Sequence, residues 1–207
     1  MRNPNLKTRR PGRRQQRGVI LVIALIVLVA MTLAAIGMTR SIDTANLVAG
    51  NLSFKQSSLN AADKGVDAGY GWLVARAGTT ALNDTDTGSG FFSSFPGTEP
   101  DWTDPDTWAD AVDLNGGAED AAGNRISYLI HRMCIEPNTP YNGVGASGNA
   151  NQCALTIPTS SATTGGSMSV GSVQFQGNPQ IFYRVTVRSV GPKNTESYVQ
   201  SMISVTN

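Results

Sequence analysis

No acidic residue occurs in the first seventeen positions, and no proline occurs between Pro11 and Pro96. The first absence leaves Arg2, Lys7, Arg9, Arg10, Arg13, Arg14 and Arg17 without a counter-charge; the second removes the residue that most reliably breaks a helix. Basic residues are missing in turn from Ala77 to Asn124, a stretch that holds ten acids. Without residues 1–18, nine basic side chains face fifteen acidic ones, a formal charge of minus six. Sequence-independent binding of a polyanion needs a basic surface, so no nucleic-acid partner is expected. Two cysteines and one histidine are too few for a disulfide-dense miniature or a His/Cys zinc site.

Recognisable catalytic frames are absent too. Gly165-Gly166 lacks the Lys and Ser/Thr of a phosphate loop. His131 sits in a predicted strand with no motif supplying a nucleophile and an orienting acid. No catalytic residue, metal or cofactor is assigned, and no enzymatic activity is expected.

What is present begins at Gly18. An apolar run from Val19 to Met38 follows it, uncharged until Arg40. Twenty helical residues at about 1.5 Å each span about 30 Å, the thickness of a bilayer's hydrocarbon core. The basic flank precedes the run, which keeps the N-terminus cytoplasmic and sends the rest of the chain outward. A secretory signal cut among the small residues Ala30 to Ala35 is the alternative. However, an apolar stripe continues through Ile42, Ala45, Ala49, Leu52, Leu59, Val66, Tyr70 and Leu73, interrupted at Gln56 and Asp63. That spacing predicts one long helix, apolar all round at first and on one stripe later.

Beyond the helix, residues 77–124 show no readable period and are expected to be loop or irregular structure. From Arg125 to Glu136 the pattern alternates, with Ile126, Tyr128 and Ile130 on one face and Leu129, Met133 and Ile135 on the other, as in an interior strand. Gln180–Val190 and Glu196–Thr206 alternate as well, and Gly191-Pro192-Lys193-Asn194-Thr195 between them is turn chemistry, so a hairpin is expected. A further short strand is expected at Gly171–Gln176. The fold class is α+β: a long N-terminal helix whose stripe packs on an antiparallel sheet. Cys134 and Cys153 are expected to form a disulfide in an oxidising compartment, with two free thiols as the alternative.

The acidic region carries the remaining candidates. Asp84-Thr85-Asp86-Thr87-Gly88 resembles the start of a calcium loop, but Gly88 and Phe95 stand where ligands are needed. Asp101, Asp104, Asp106 and Asp110 are read as a solvated acidic loop rather than a cation site. Phe91, Phe92, Phe95, Trp102 and Trp108 interleave with these acids, and Phe91, Phe92, Trp102 and Trp108 are candidate anchors of a partner surface.

The basic leader, Gly18, the apolar run and the amphipathic extension together resemble a type IV prepilin. Ala49-Gly50-Asn51-Leu52 and Asn60-Ala61-Ala62-Asp63 are similar to steps in the PilX-type minor pilins, as are Phe182 to Arg188 and Val199-Gln200-Ser201 near the C-terminus. The resemblance covers about the first seventy-five and last twenty-five residues. It implies cleavage after Gly18 by a prepilin peptidase, N-methylation of Val19, a type IV pilin fold and a disulfide bounding a variable loop. It also implies an inner-membrane location before incorporation into a surface fibre, with other minor pilins, the major pilin and a tip adhesin as partners.

The fifth mature residue, usually glutamate, is Ile23 here, which suits a subunit at the fibre tip with no neighbour for that carboxylate to pair with. The regions on this reading are a leader at 1–18, a membrane-spanning segment at 19–40 and an amphipathic extension at 41–76. An acidic loop region at 77–124 and a sheet with its disulfide-bounded loop at 125–207 follow. A minor pseudopilin of a type II secretion system, or a membrane-anchored or secreted binding domain that never polymerises, are the alternative functions.

Overall fold

A computed structural model describes residues 18–95, 97–157 and 178–206. The expected strand at Gly171–Gln176 lies outside the described residues. A single helix, α1, runs from Val19 to Val74, and the chain's contacts divide within it into two units, one ending at Gly50 and the other beginning at Asn51. In the first unit every helical residue from Val19 to Ala49 is exposed, including an uncharged apolar stretch long enough to cross a membrane. Helix formation here follows from the absence of proline and from Leu, Ile and Ala outnumbering turn-forming residues.

The second unit is the rest of α1 with a six-stranded sheet: β1 (Phe91–Phe92), β2 (Val112–Asp113), β3 (Arg125–Arg132), β4 (Leu155–Thr156), β5 (Gln180–Gly191) and β6 (Thr195–Thr206). β3 and β5 are central and antiparallel, with Tyr128 opposite Val187 and His131 opposite Arg184. β5 and β6 form the expected hairpin in unbroken register, from Gln180 opposite Thr206 to Gly191 opposite Thr195. Its turn places Lys193 and Asn194 at positive φ, a conformation that asparagine tolerates better than most residues.

The sheet is mixed rather than antiparallel. β1 runs parallel to β3, with Phe91 opposite Ile130, while β2 is antiparallel to it. Both are two-residue strands from the region expected to be irregular, too short to carry any period. Gly90, at φ +64°, turns the chain into β1, and a Cβ there would lie 3.1 Å from the Tyr128 carbonyl. β3 also ends sooner than the alternation suggests: the Cys134 amide donates to the Arg132 carbonyl, a tight turn that leaves Ile135 exposed.

The helix face against the sheet is a further correction. Leu52, Leu59 and Tyr70, expected on the packed stripe, are 64%, 41% and 51% exposed. Leu73, expected on the stripe, is buried and Val66 packs against the core, but the rest of the buried face is small and polar residues, Ser58, Ala61, Ala62, Gly65 and Gly69. A Cβ on Gly69 would lie 2.8 Å from Val185 Cγ1, so only small residues permit this close seating. Around the contact, Ile126, Ile130, Ile181, Tyr183, Val185 and Val187 complete the core, with Trp72 and Tyr183 flanking Phe91.

The opposite face of the sheet is also covered. Leu129, His131, Arg184 and Thr186 are buried there beneath aromatic side chains of residues 92–108. Covering on both faces accounts for a β3 that is apolar on both sides.

Candidate functional site

At the N-terminal end, Gly18 is an exposed bend and Val19 is the first helical residue. The Gly18 carbonyl accepts from the Leu21 amide, so the peptide bond between Gly18 and Val19 sits at the mouth of α1. Ile23 lies on the first turns of the helix and is 54% exposed. By length and composition this apolar, unpacked helical segment could serve as a membrane anchor.

Cys134 and Cys153 are bonded, with Cα atoms 4.0 Å apart. The loop between them has its own polar core. Asn151 accepts from the Glu136 amide and donates to the Thr139 and Pro140 carbonyls. Arg132, fully buried, donates to the Thr139 carbonyl from below, and Ser147 donates to the Glu136 carboxylate. Buried backbone that belongs to no helix or strand thereby finds partners.

The aromatic residues of the acidic region fall into two groups. Phe91 has no exposed surface and belongs to the core, which removes it from the candidate partner surface. Phe92 stacks on His131 with ring centroids 4.9 Å apart; Phe95 and Trp102 meet the same imidazole edge-on. Trp108 is buried against Trp102 and Tyr198, and its indole N–H donates to the Trp102 carbonyl. Phe92 and Trp102 are half-buried. These rings roof the sheet before they can anchor anything else.

Arg184 sits at the centre of the roof. Its guanidinium lies 4.1 Å from the Phe95 ring centroid and 5.4 Å from that of Trp102, and donates to Glu99 at 2.9 Å. The Glu99 carboxylate, accepting from Arg184 and from the Trp102 indole, is held below its ordinary range. Burial, reinforced by the Arg184 charge, pushes His131 down to about 4, so its imidazole is neutral at physiological pH. Only the alternation of Arg184 and Arg188 with apolar residues marked this face in the sequence; Glu99 carried no signal that set it apart from the other acids.

Three acids of residues 77–124 serve as turn acceptors. Asp101 accepts from the Thr103 amide and hydroxyl, Asp104 from the Asp106 amide, and Asp120 from the Ala122 and Asn124 amides. These amide bonds, with Lys64 beside it, lower Asp120 to about 2. Among the described residues no three His, Cys, Asp or Glu side chains converge as metal ligands would.

No protein-family model, curated protein or solved structure matches this chain. Its functional reading therefore rests on its own residues and geometry.

Proposed function

We propose that this chain is a minor pilin of a type IV pilus, of the PilX type. On this reading it is held in the inner membrane, cut after Gly18 and N-methylated at Val19, and then joined to other minor pilins in the complex that initiates the fibre and presents a tip adhesin. The observation that carries the reading is the shape of α1. Its segment from Val19 to Ala49 is exposed on every side, while from Ser58 to Leu73 it is seated on a sheet through small residues. A helix of this kind serves two environments in turn: lipid around the apolar part before assembly, and neighbouring helices afterwards.

Two further features support the reading. Gly18 is exposed at the helix mouth, where a peptidase at the cytoplasmic boundary reaches it. Ile23 places no carboxylate on the first turns, as suits a subunit with no tipward neighbour.

The deciding experiment is mass spectrometry of the membrane-fraction protein. An N-terminus at methylated Val19 supports the pilin reading, and Gly18→Arg then leaves the precursor uncut. An N-terminus at Ile36 refutes it in favour of a secreted domain.

A further inference from the structure

We infer that Arg132 and Tyr183 hold a small monovalent anion, of the halide class, in the interior of the sheet domain at the end of β3.

The two residues stand opposite each other in the β3–β5 register, so both side chains leave the same face of the sheet. Neither has any exposed surface. Arg132 spends one donor group, Nη1, on the Thr139 carbonyl at 3.0 Å, while its Nε and Nη2 have no hydrogen-bond partner. Those two atoms form one edge of the planar guanidinium, the fork that seats an acceptor between two N–H groups. The Tyr183 hydroxyl lies close enough for each group to shift the other's titration, yet no hydrogen bond closes between them and the hydroxyl has no other partner. Three donor groups are thus buried together without an acceptor.

Charge decides the ligand. Every aspartate and glutamate of the chain lies among the described residues, and none pairs with Arg132. Arg125, Arg184 and Arg188 each meet a glutamate, whereas Glu136, the acid nearest Arg132 in sequence, accepts from Ser147 instead. Burial lowers the Arg132 pKa, but a guanidinium stays protonated in a folded protein. Tyr183 does not supply the missing charge, because burial raises its pKa and keeps the proton on its oxygen. A charged group taken wholly out of water with no counter-charge is among the costliest to bury. Internal waters would satisfy the donors and leave the charge. A divalent oxyanion would bring a second charge that nothing balances. A halide ion balances the guanidinium, accepts from the free donors and has no donor of its own to satisfy.

The ion is taken up as the domain folds. It steadies the side chain that holds the disulfide-bounded loop at Thr139. The inference does not depend on the pilus reading.

The test follows thermal unfolding of the purified, detergent-solubilised full-length chain in sodium chloride, sodium bromide and sodium gluconate, whose anion is too large for the site, mixed at equal ionic strength. Expected is a melting temperature that is higher in both halides and rises by about 3–5 °C for each tenfold increase in halide once the site fills. Tyr183→Phe, which keeps the ring and removes one donor, should need at least tenfold more chloride for the same shift. Arg132→Met should lose the chloride response. In gluconate it should melt no lower than the wild type, since it buries no unpaired charge and Asn151 still donates to the Thr139 carbonyl. If Arg132→Met fails to fold, Tyr183→Phe decides together with wild-type crystals grown in bromide, in which anomalous density should lie beside Arg132 Nε and Nη2. Equal melting of the wild type in chloride and gluconate, an unchanged chloride response in either folded variant, or no bromide at the guanidinium would each overturn the inference.

Discussion

Gly65 lies directly beneath Val187: a Cβ placed on the glycine would come within 2.5 Å of Val187 Cγ1 and 3.1 Å of Ile126 Cγ2. The helix is seated on the sheet at a distance that admits no side chain at this point. Gly65→Ala is therefore expected to destabilise the sheet domain by about 1–3 kcal/mol through overpacking. Gly71, on the same helix with open space around it, gives the control. Gly71→Ala should stabilise by about 0.5–1 kcal/mol, because alanine is the better helix former and meets no neighbour. Chemical denaturation of the two variants reads the opposite signs.

Loss of the Cys134–Cys153 bond frees a loop of eighteen intervening residues. In the chain-entropy model a closure of this size contributes about 3 kcal/mol. Replacing both cysteines by alanine should lower the melting temperature by about 10 °C. The network around Glu136, Thr139 and Asn151 should lose hydrogen-exchange protection before the β5–β6 hairpin does, since its buried polar contacts depend on the loop's closed geometry.

The length of α1 and the β5–β6 hairpin were legible in the sequence because each has a long, unbroken signal. The chain has no proline from residue 12 to residue 95, and Ile181, Tyr183, Val185 and Val187 alternate up to a Gly-Pro turn. The packed face of the helix was legible only at Val66 and Leu73. Large apolar residues usually mark the buried stripe, but here the sheet's own valines fill the space and the helix contributes Ala and Gly, leaving Leu52, Leu59 and Tyr70 outside. Nor was the roof over Arg184 and His131 visible, because Phe92, Phe95 and Trp102 reach it from irregular chain whose spacing carries no period. At the candidate site, the start of the apolar helix at Val19 could be read from charge and hydropathy alone.

His131 makes the domain sensitive to acid. Its imidazole is 6% exposed, packed by Phe92, Phe95 and Trp102, and faced by the charges of Arg184 and Glu99. In the unfolded chain it takes up a proton below about pH 6.5, whereas in the folded domain it does so only near 4. Stability is thus highest above pH 6.5 and falls as pH drops towards 4, by about 3 kcal/mol over that window. His131→Phe keeps the ring on Phe92 and removes the titration, so its unfolding free energy should be flatter between pH 6.5 and 4 than that of the wild type. Asp120, lowered to about 2, acts in a separate window: its contribution is present above pH 3.8 and disappears on acidification through 2.

On the proposed pilin reading, the exposed stripe on the second half of α1 separates folding from assembly. Leu52 and Leu59 point away from the sheet, and the domain gains little from either side chain in isolation. If α1 packs among neighbouring helices, these leucines become buried only in the assembled state, where removal of a large apolar side chain costs about 2–5 kcal/mol. Leu59→Ala should accordingly change the melting temperature of the sheet domain by less than about 2 °C, within the usual range for surface substitutions. On that proposed reading, the same variant in cells should still be cut at Gly18 and still form its disulfide, yet show markedly reduced recovery with sheared fibres on quantitative immunoblots. Recovery equal to wild type would mean that this face meets no neighbour, and would leave the apolar segment from Val19 as a membrane anchor alone.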